Sequence, residues 1–390
     1  MIRFVAPRRA AMVTALAILM LSWVTGAASA ADRSLDFPPD VNAALHYLLD
    51  LVGSDGDVDL DNRQLDSLVE FLETAETKAG IYRADASFGA PSAFHQFAVD
   101  ARLQQIIDYT LDANIPSFFF WPSSLRLTQW TKVDGGEEQF ARLQAASRRP
   151  DAPFTLRGEE HVTITPDQHT GAYYTYDVDK LVLLIPWRQG RIMISIYKQQ
   201  KPSAVGRRGW VLGADDEWSY LYTKDKGLNL KGLGWANTYM YDSFGITVYH
   251  QADLATPVVT SSVFSWVKAG WAGINMVEPR HIHHGLVRVA IGFKEVLEDP
   301  KLPEPTTLAE TFSKSKDLPT PVLRKYASDY LAGLKNRVAA SAKVWKEVAE
   351  DFDSRKLLDQ MSREELYAVV ALDYLKKILD RNPVMDSHPF

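Results

Sequence analysis

Glu278, His281 and His284 stand three residues apart, as Glu-x-x-His-x-x-His. On a helix that spacing puts a carboxylate and two imidazoles on one face, a donor set that suits zinc or iron. A catalytic ion would need a further ligand from elsewhere, and His161, His169 and His250 are the candidates. A metal-dependent hydrolase is therefore one function the residues suggest. The alternative is a solvated helix start whose polar residues are histidines, and Pro279 makes helical geometry at Glu278 uncertain.

Other chemistry is weaker. The acids Asp55, Asp57, Asp59 and Asp61 would take positions 1, 3, 5 and 7 of a calcium loop. Position 6 would then be Leu60 where the turn needs Gly, and position 12 would be Asp66 rather than Glu. A solvated acidic loop ending in an N-cap Asp fits equally. Ser265-Trp266-Val267-Lys268 and Ser313-Lys314-Ser315-Lys316 match Ser-x-x-Lys, but neither is followed by Lys-Thr-Gly. The chain has no Walker loop, Gly-x-Ser-x-Gly, Gly-x-Gly-x-x-Gly or His-Glu-x-x-His.

Aromatic ladders form the third group. Trp218, Tyr220 and Tyr222 sit two apart, as do Tyr239 and Tyr241 after Trp235, and Tyr174 and Tyr176. On a strand each set shares a face. Tyr and Trp join a large apolar surface to a polar tip, which suits the half-wet lining of a site for an amphipathic ligand. The alternative is cross-strand packing, worth about 0.2–1 kcal/mol per pair.

The first thirty residues bear on compartment. Arg3, Arg8 and Arg9 precede an apolar run from Ala10 to Val24, and Ala28-Ser29-Ala30 follows. That is the layout of a secretory signal peptide, and the run is shorter than the roughly 20 residues a spanning helix needs. A periplasmic or secreted protein starting at Ala31 is expected. No cysteine is present, so disulfides, thiolate metal sites and thiol nucleophiles are excluded. The chain holds 43 Lys and Arg against 49 Asp and Glu; removing segment 1–30, with three Arg and no acid, leaves nine more acids than bases. That balance, without a basic tract, makes a poor partner for nucleic acid.

These residues need elements to hold them. Region 31–115 reads as helical: Val41, Leu45, Leu48 and Val52 share a face, Asp61 with Gln64 resembles a capping box, and a third helix after Pro91 would carry Val99, Leu103, Ile106 and Ile107. Region 116–300 changes period. A short helix fits Glu137 to Ser147. Three hairpins are expected, turning at Arg188-Gln189-Gly190, at Ala214-Asp215-Asp216 and at Asp242-Ser243-Phe244-Gly245. Residues 259–279 are apolar nearly all round, with Trp266 and Trp271 on opposite flanks, and read as a buried helix. Segment 301–321 is Pro-rich and reads as a linker. Beyond it, 322–390 holds a helical pair: one seam runs from Leu323 through Trp345 to Phe352, and another helix spans Arg363 to Leu379.

The predicted fold is thus α+β: an antiparallel β-meander on a long buried helix, with N-terminal helices and a C-terminal helical pair. Over residues 117–280 the order of strand, short helix, meander and long helix resembles the helix-grip architecture of START-like lipid-binding proteins. The resemblance rests on element order and no motif residues. It implies a lipid-like ligand between sheet and helix, with Tyr174, Tyr176, Trp218, Tyr220, Tyr222, Tyr239, Tyr241, Trp266 and Trp271 as candidate contacts. A protein partner docked on the C-terminal helices is the remaining alternative.

Overall fold

The computed structural model describes residues 34–53, 58, 60–75, 81–168, 170–230, 234–341, 344, 349 and 352–390. The expected signal segment 1–30, Asp55, Asp57, Asp59, His169, Trp345 and the side chain of Trp235 lie outside this description. The fold is α+β, with a large antiparallel sheet and C-terminal helices.

Helices α1 (Pro39–Val52) and α2 (Asp66–Thr74) come first, with a parallel pair β1 (Ser34–Asp36) and β2 (Ile81–Arg83). Asp61 caps a 3-10 turn before α2 by accepting from the Arg63 amide. Then follow β3 (Ser92–Val99), α3 (Leu103–Thr110), β4 (Leu125–Val133), α4 (Glu138–Ser147) and β5 (Phe154–Ile164). Next are β6 (Ala172–Tyr173), β7 (Thr175–Trp187), β8 (Gly190–Gln199), β9 (Arg207–Val211) and β10 (Tyr220–Lys226). After β11 (Leu228–Leu230) and β12 (Gly234–Ala236) come β13 (Thr238–Gln251), β14 (Val259–Trp271) and β15 (Ile274–Asn275). The chain ends in α5 (Pro279–Leu297), α6 (Pro305–Lys316), α7 (Thr320–Ala340), α8 (Ser354–Asp359) and α9 (Arg363–Ile378).

Eight strands build the main sheet in the order β4-β5-β7-β8-β13-β14, with β3 and β15 sharing the outer edge of β14. Every pairing in it is antiparallel. The first strand, β3, therefore closes against the last long one, β14. A smaller sheet, β6-β9-β10, stands apart.

The two faces of the main sheet are covered differently. On one face Leu181, Ile196, Ile246, Phe264 and Phe94 align across the strands, and α1 and α2 pack on them. Arg157 on that face donates to the Leu51 carbonyl at 3.0 Å, satisfying a free carbonyl at the end of α1. On the other, inner face, α3, α4 and α5 join the small sheet and the C-terminal helices in a single core.

Four sequence readings are corrected. Residues 259–271 are strand β14, not a helix. Phe264 and Trp266 are buried under the α1 layer while Val263 and Val267 meet α5, so both faces are covered and no alternation shows. A short segment apolar all round reads alike as buried helix or fully covered strand. The helix that packs on the inner face, against β3 and β14, is α5, downstream. The expected turn at 242–245 is the middle of β13. Gly245 is there because a Cβ would lie 2.7 Å from the Tyr197 ring, which lies across it. Val99 ends β3 rather than joining a helix with Leu103. Segment 301–321 contains α6, whose Pro305 occupies the first turn, where the missing N–H costs nothing. Leu308 and Phe312 of α6 are fully buried. The β7–β8 hairpin holds as read: Arg188 takes the left-handed φ of 48° in the turn. Gly190 follows where a Cβ would sit 1.9 Å from the Gln251 carbonyl.

Candidate functional site

The register of the long strands builds a strip on the inner face. Ser195, Thr247, Val263 and His95 stand side by side on β8, β13, β14 and β3. All four are half-buried, in a row that runs from mid-sheet on β8 to the edge strand β3. The next row is Lys180, Tyr197, Gly245, Ser265 and Ala93. On the other side runs Leu184, Met193, Tyr249, Ser261 and Phe97, where Phe293 of α5 lies 6.2 Å from Tyr249 and 6.3 Å from Phe97, centroid to centroid. Ile282 and Leu286 of α5 pack on Ala93, Val263 and Val267. The strip is thus bordered by a helix, floored by small hydroxylated residues and walled in part by valines.

Its charges are few. Lys180 Nζ lies 3.6 Å from Glu160 Oε2. The Tyr197 hydroxyl is 3.4 Å from Ser243 Oγ. Burial raises the Tyr176 and Tyr197 phenols above their ordinary range, so both stay protonated donors. His95 faces His283 of α5, ring centroids 5.5 Å apart. Burial, with the neighbouring imidazole, depresses His95 to about 4, and burial also lowers His283.

This pair makes an acid-pH prediction. Both rings are buried neutral, and the unfolded chain protonates near 6.5. Stability is therefore full above that value and lost as pH falls toward 4. His95→Asn is expected to flatten the fall in melting temperature across that window, measured by thermal scans at stepped pH. An unchanged slope would show that the pair does not carry the acid sensitivity.

The residues singled out in the sequence scatter. Tyr176 borders the strip, beside Tyr197 and Ser243. Tyr174 packs over Gly206. Tyr220 and Tyr222 belong to the small sheet, rings 6.0 Å apart, and Arg126 lies 4.0 Å from the Tyr222 centroid. Trp218 is buried, with Arg381 4.5 Å from its ring centroid. Trp266 faces the opposite way, stacked on Phe244 and Phe88. Tyr239 and Tyr241 stack at 6.2 Å near the end of the sheet, where Trp271 is half-buried and Ile274 and Met276 are exposed. One aromatic wall shared by all nine is therefore not formed. Strand parity put Trp266 and the Tyr ladders on different sheets and faces.

The expected metal set is also not assembled. Glu278 is the N-cap of α5, and its backbone N–H donates to His281 Nδ1 at 3.2 Å, which is helix capping. The Glu278 carboxylate pairs with Arg280 at 2.8 Å. His281 and His284 are exposed, and it is His283 that turns inward. His161 pairs with Asp177 at 2.6 Å and His250 is buried in β13. Among the described residues no group of three His, Cys, Asp or Glu is placed to hold a metal ion.

A second polar cluster went unnoticed in the sequence. Ser219 Oγ accepts from Lys376 Nζ at 2.8 Å and Arg337 Nη1 at 2.9 Å, and donates to the Glu217 carbonyl at 3.3 Å. A serine beside a lysine can be a nucleophile with its base. Ser219 is 0% exposed, however, and both cations donate to it, so the cluster joins the small sheet to α7 and α9. No family model, curated protein or solved structure matches the chain.

Proposed function

We propose that the protein is an exported binder of a hydrophobic or amphipathic small molecule, held between α5 and the inner face of the main sheet. One observation carries this reading: Ser195, Thr247 and His95 keep part of their surface exposed in a row that runs from mid-sheet to the β3 edge, beside Val263 on which α5 packs, while the other face of the sheet is packed shut. The row crosses four strands, roughly 14 Å, a span suited to an extended chain with a polar end. Export rests on the layout of residues 1–30; among the described residues no helix is long and apolar enough to cross a membrane. For the hydrolase alternative, Glu278 and His281 take part in the cap of α5, the Glu278 carboxylate pairs with Arg280 and His284 stands exposed. The C-terminal helices share the sheet's core through Leu323, Tyr330, Leu334 and Leu375, which leaves those residues no free face for a partner.

The test is to occupy the strip with protein. Ser195→Phe is expected to weaken ligand binding about tenfold or more, or 1.4 kcal/mol. The circular dichroism spectrum should be unchanged. Native mass spectrometry of the exported protein, with and without the substitution, reads the bound fraction. If the unaltered protein carries no adduct and takes up no alkyl-chain probe, the reading is wrong.

A further inference from the structure

Lys180, Arg288, Arg126 and Lys224 around the strip each have a counter-charge within the protein. Lys180 is paired with Glu160, and their side chains are 19% and 8% exposed. Toward the small sheet, Arg288 of α5 meets Asp215 at 2.6 Å. Arg126 and Lys224 share Glu365 at 3.0 and 2.8 Å. His95 and His283 stay uncharged at neutral pH because burial disfavours their cations. What remains is hydroxyl chemistry. Ser261 Oγ is buried beneath the Phe293 side of the strip without a hydrogen-bond partner. The hydroxyls of Ser195 and Thr247 stand side by side in the next row, at half-buried positions.

A carboxylate, phosphate or ammonium brought here would shed water and meet no free counter-ion. That costs more than Coulomb attraction to an already paired Lys180 or Glu160 returns. A hydroxyl or ester would exchange water for neutral hydrogen bonds with Ser195 and Thr247. Val182, Val263, Val267 and the α5 residues Ile282 and Leu286 supply the apolar side. We infer that the ligand is a neutral, hydroxyl-bearing amphiphile of the monoacylglycerol or long-chain alcohol class, with its polar end on Ser195 and Thr247. This rests on the ligand-binding reading above.

The experiment compares three probes of one chain length on delipidated full-length protein: monooleoylglycerol, oleate and oleylamine. By titration calorimetry near neutral pH, monooleoylglycerol should bind about tenfold tighter than either charged probe. Glu160→Gln leaves Lys180 unpaired, and oleate should then gain about tenfold relative to monooleoylglycerol. Thr247→Val should weaken monooleoylglycerol more than oleate; melting curves confirm that both variants fold. Oleate or oleylamine binding as tightly as monooleoylglycerol to the unaltered protein overturns the neutral-ligand inference and leaves the binding reading standing. So does a Glu160→Gln variant with an unchanged preference. If none of the three binds, the ligand-binding reading falls and takes the inference with it.

Discussion

Asp373→Ala is expected to remove about 3–5 kcal/mol of stability and to release the C-terminal tail. Asp373 is 0% exposed, on α9. Its carboxylate accepts from the Val384 amide at 2.7 Å, the Met385 amide at 2.8 Å and His388 Nε2 at 3.1 Å. Removing it leaves two buried amides and a buried imidazole without their acceptor, and each orphaned group bears its desolvation cost. The tail also covers apolar surface. Phe390 packs at 5.1 Å from Tyr374 and 5.7 Å from Phe312, and Arg337 holds the Asn382 and Pro383 carbonyls. Loss of the clamp should loosen all of these together. Urea unfolding reads the energy, and limited proteolysis within 380–390 reads the release. A loss under about 1 kcal/mol with a protected tail would show that the apolar contacts alone hold it.

Local pattern was readable in the sequence wherever one face of an element was wet or one turn residue was decisive. Ile192, Ile194 and Ile196 alternate because their neighbours on β8 face the inner side, and Arg188 to Gly190 marks the hairpin. The stripe Leu323, Ala327, Tyr330, Leu334 and Val338 marks α7, but the helix ends at Ala340, where Ser341 turns extended, short of the seam's expected run to Phe352. Pattern failed where both faces are covered. Residues 259–271 carry Trp266 under α1 and Val263 under α5, so their apolar character has no period. Gly245 and Pro305 were read as breaks, yet one permits a ring to lie on a strand and the other begins a helix. The strip was almost invisible for another reason. Ser195, Thr247, His95 and Lys180 have no common spacing, and only sheet register aligns them. Tyr176 alone of the predicted ligand contacts borders it. The long helix expected over 259–279 is strand β14 to Trp271, and the helix begins only at Pro279, where the proline occupies the first turn.

Lys376 should make stability rise, not fall, on the alkaline side. Its side chain is 1% exposed on α9, with Ser219 Oγ as its hydrogen-bond partner at 2.8 Å. Burial pushes it down to about 8, with Arg337 acting in the same direction and Asp373 and Glu217 opposing. The folded state therefore releases this proton before the unfolded chain does, whose lysine holds it to 10.5. Below about 8 the buried ammonium costs the fold in full; between there and 10.5 the cost is progressively relieved. The gap between those two values corresponds to on the order of 3 kcal/mol. Lys376→Met keeps the bulk and removes the charge, leaving Ser219 to Arg337 and the Glu217 carbonyl. The variant is expected to gain roughly 1–3 kcal/mol at neutral pH. Its advantage should shrink as the medium becomes alkaline, because the unaltered protein catches up. Urea unfolding of both proteins at neutral and alkaline pH isolates the effect, since every other titrating group is common to the two. If the methionine variant is weaker at neutral pH, or if the difference between the proteins does not change with pH, then Lys376 is not a buried cation under strain. It would then hold the small sheet to α9 through its bond to Ser219, and the charge itself would be stabilising.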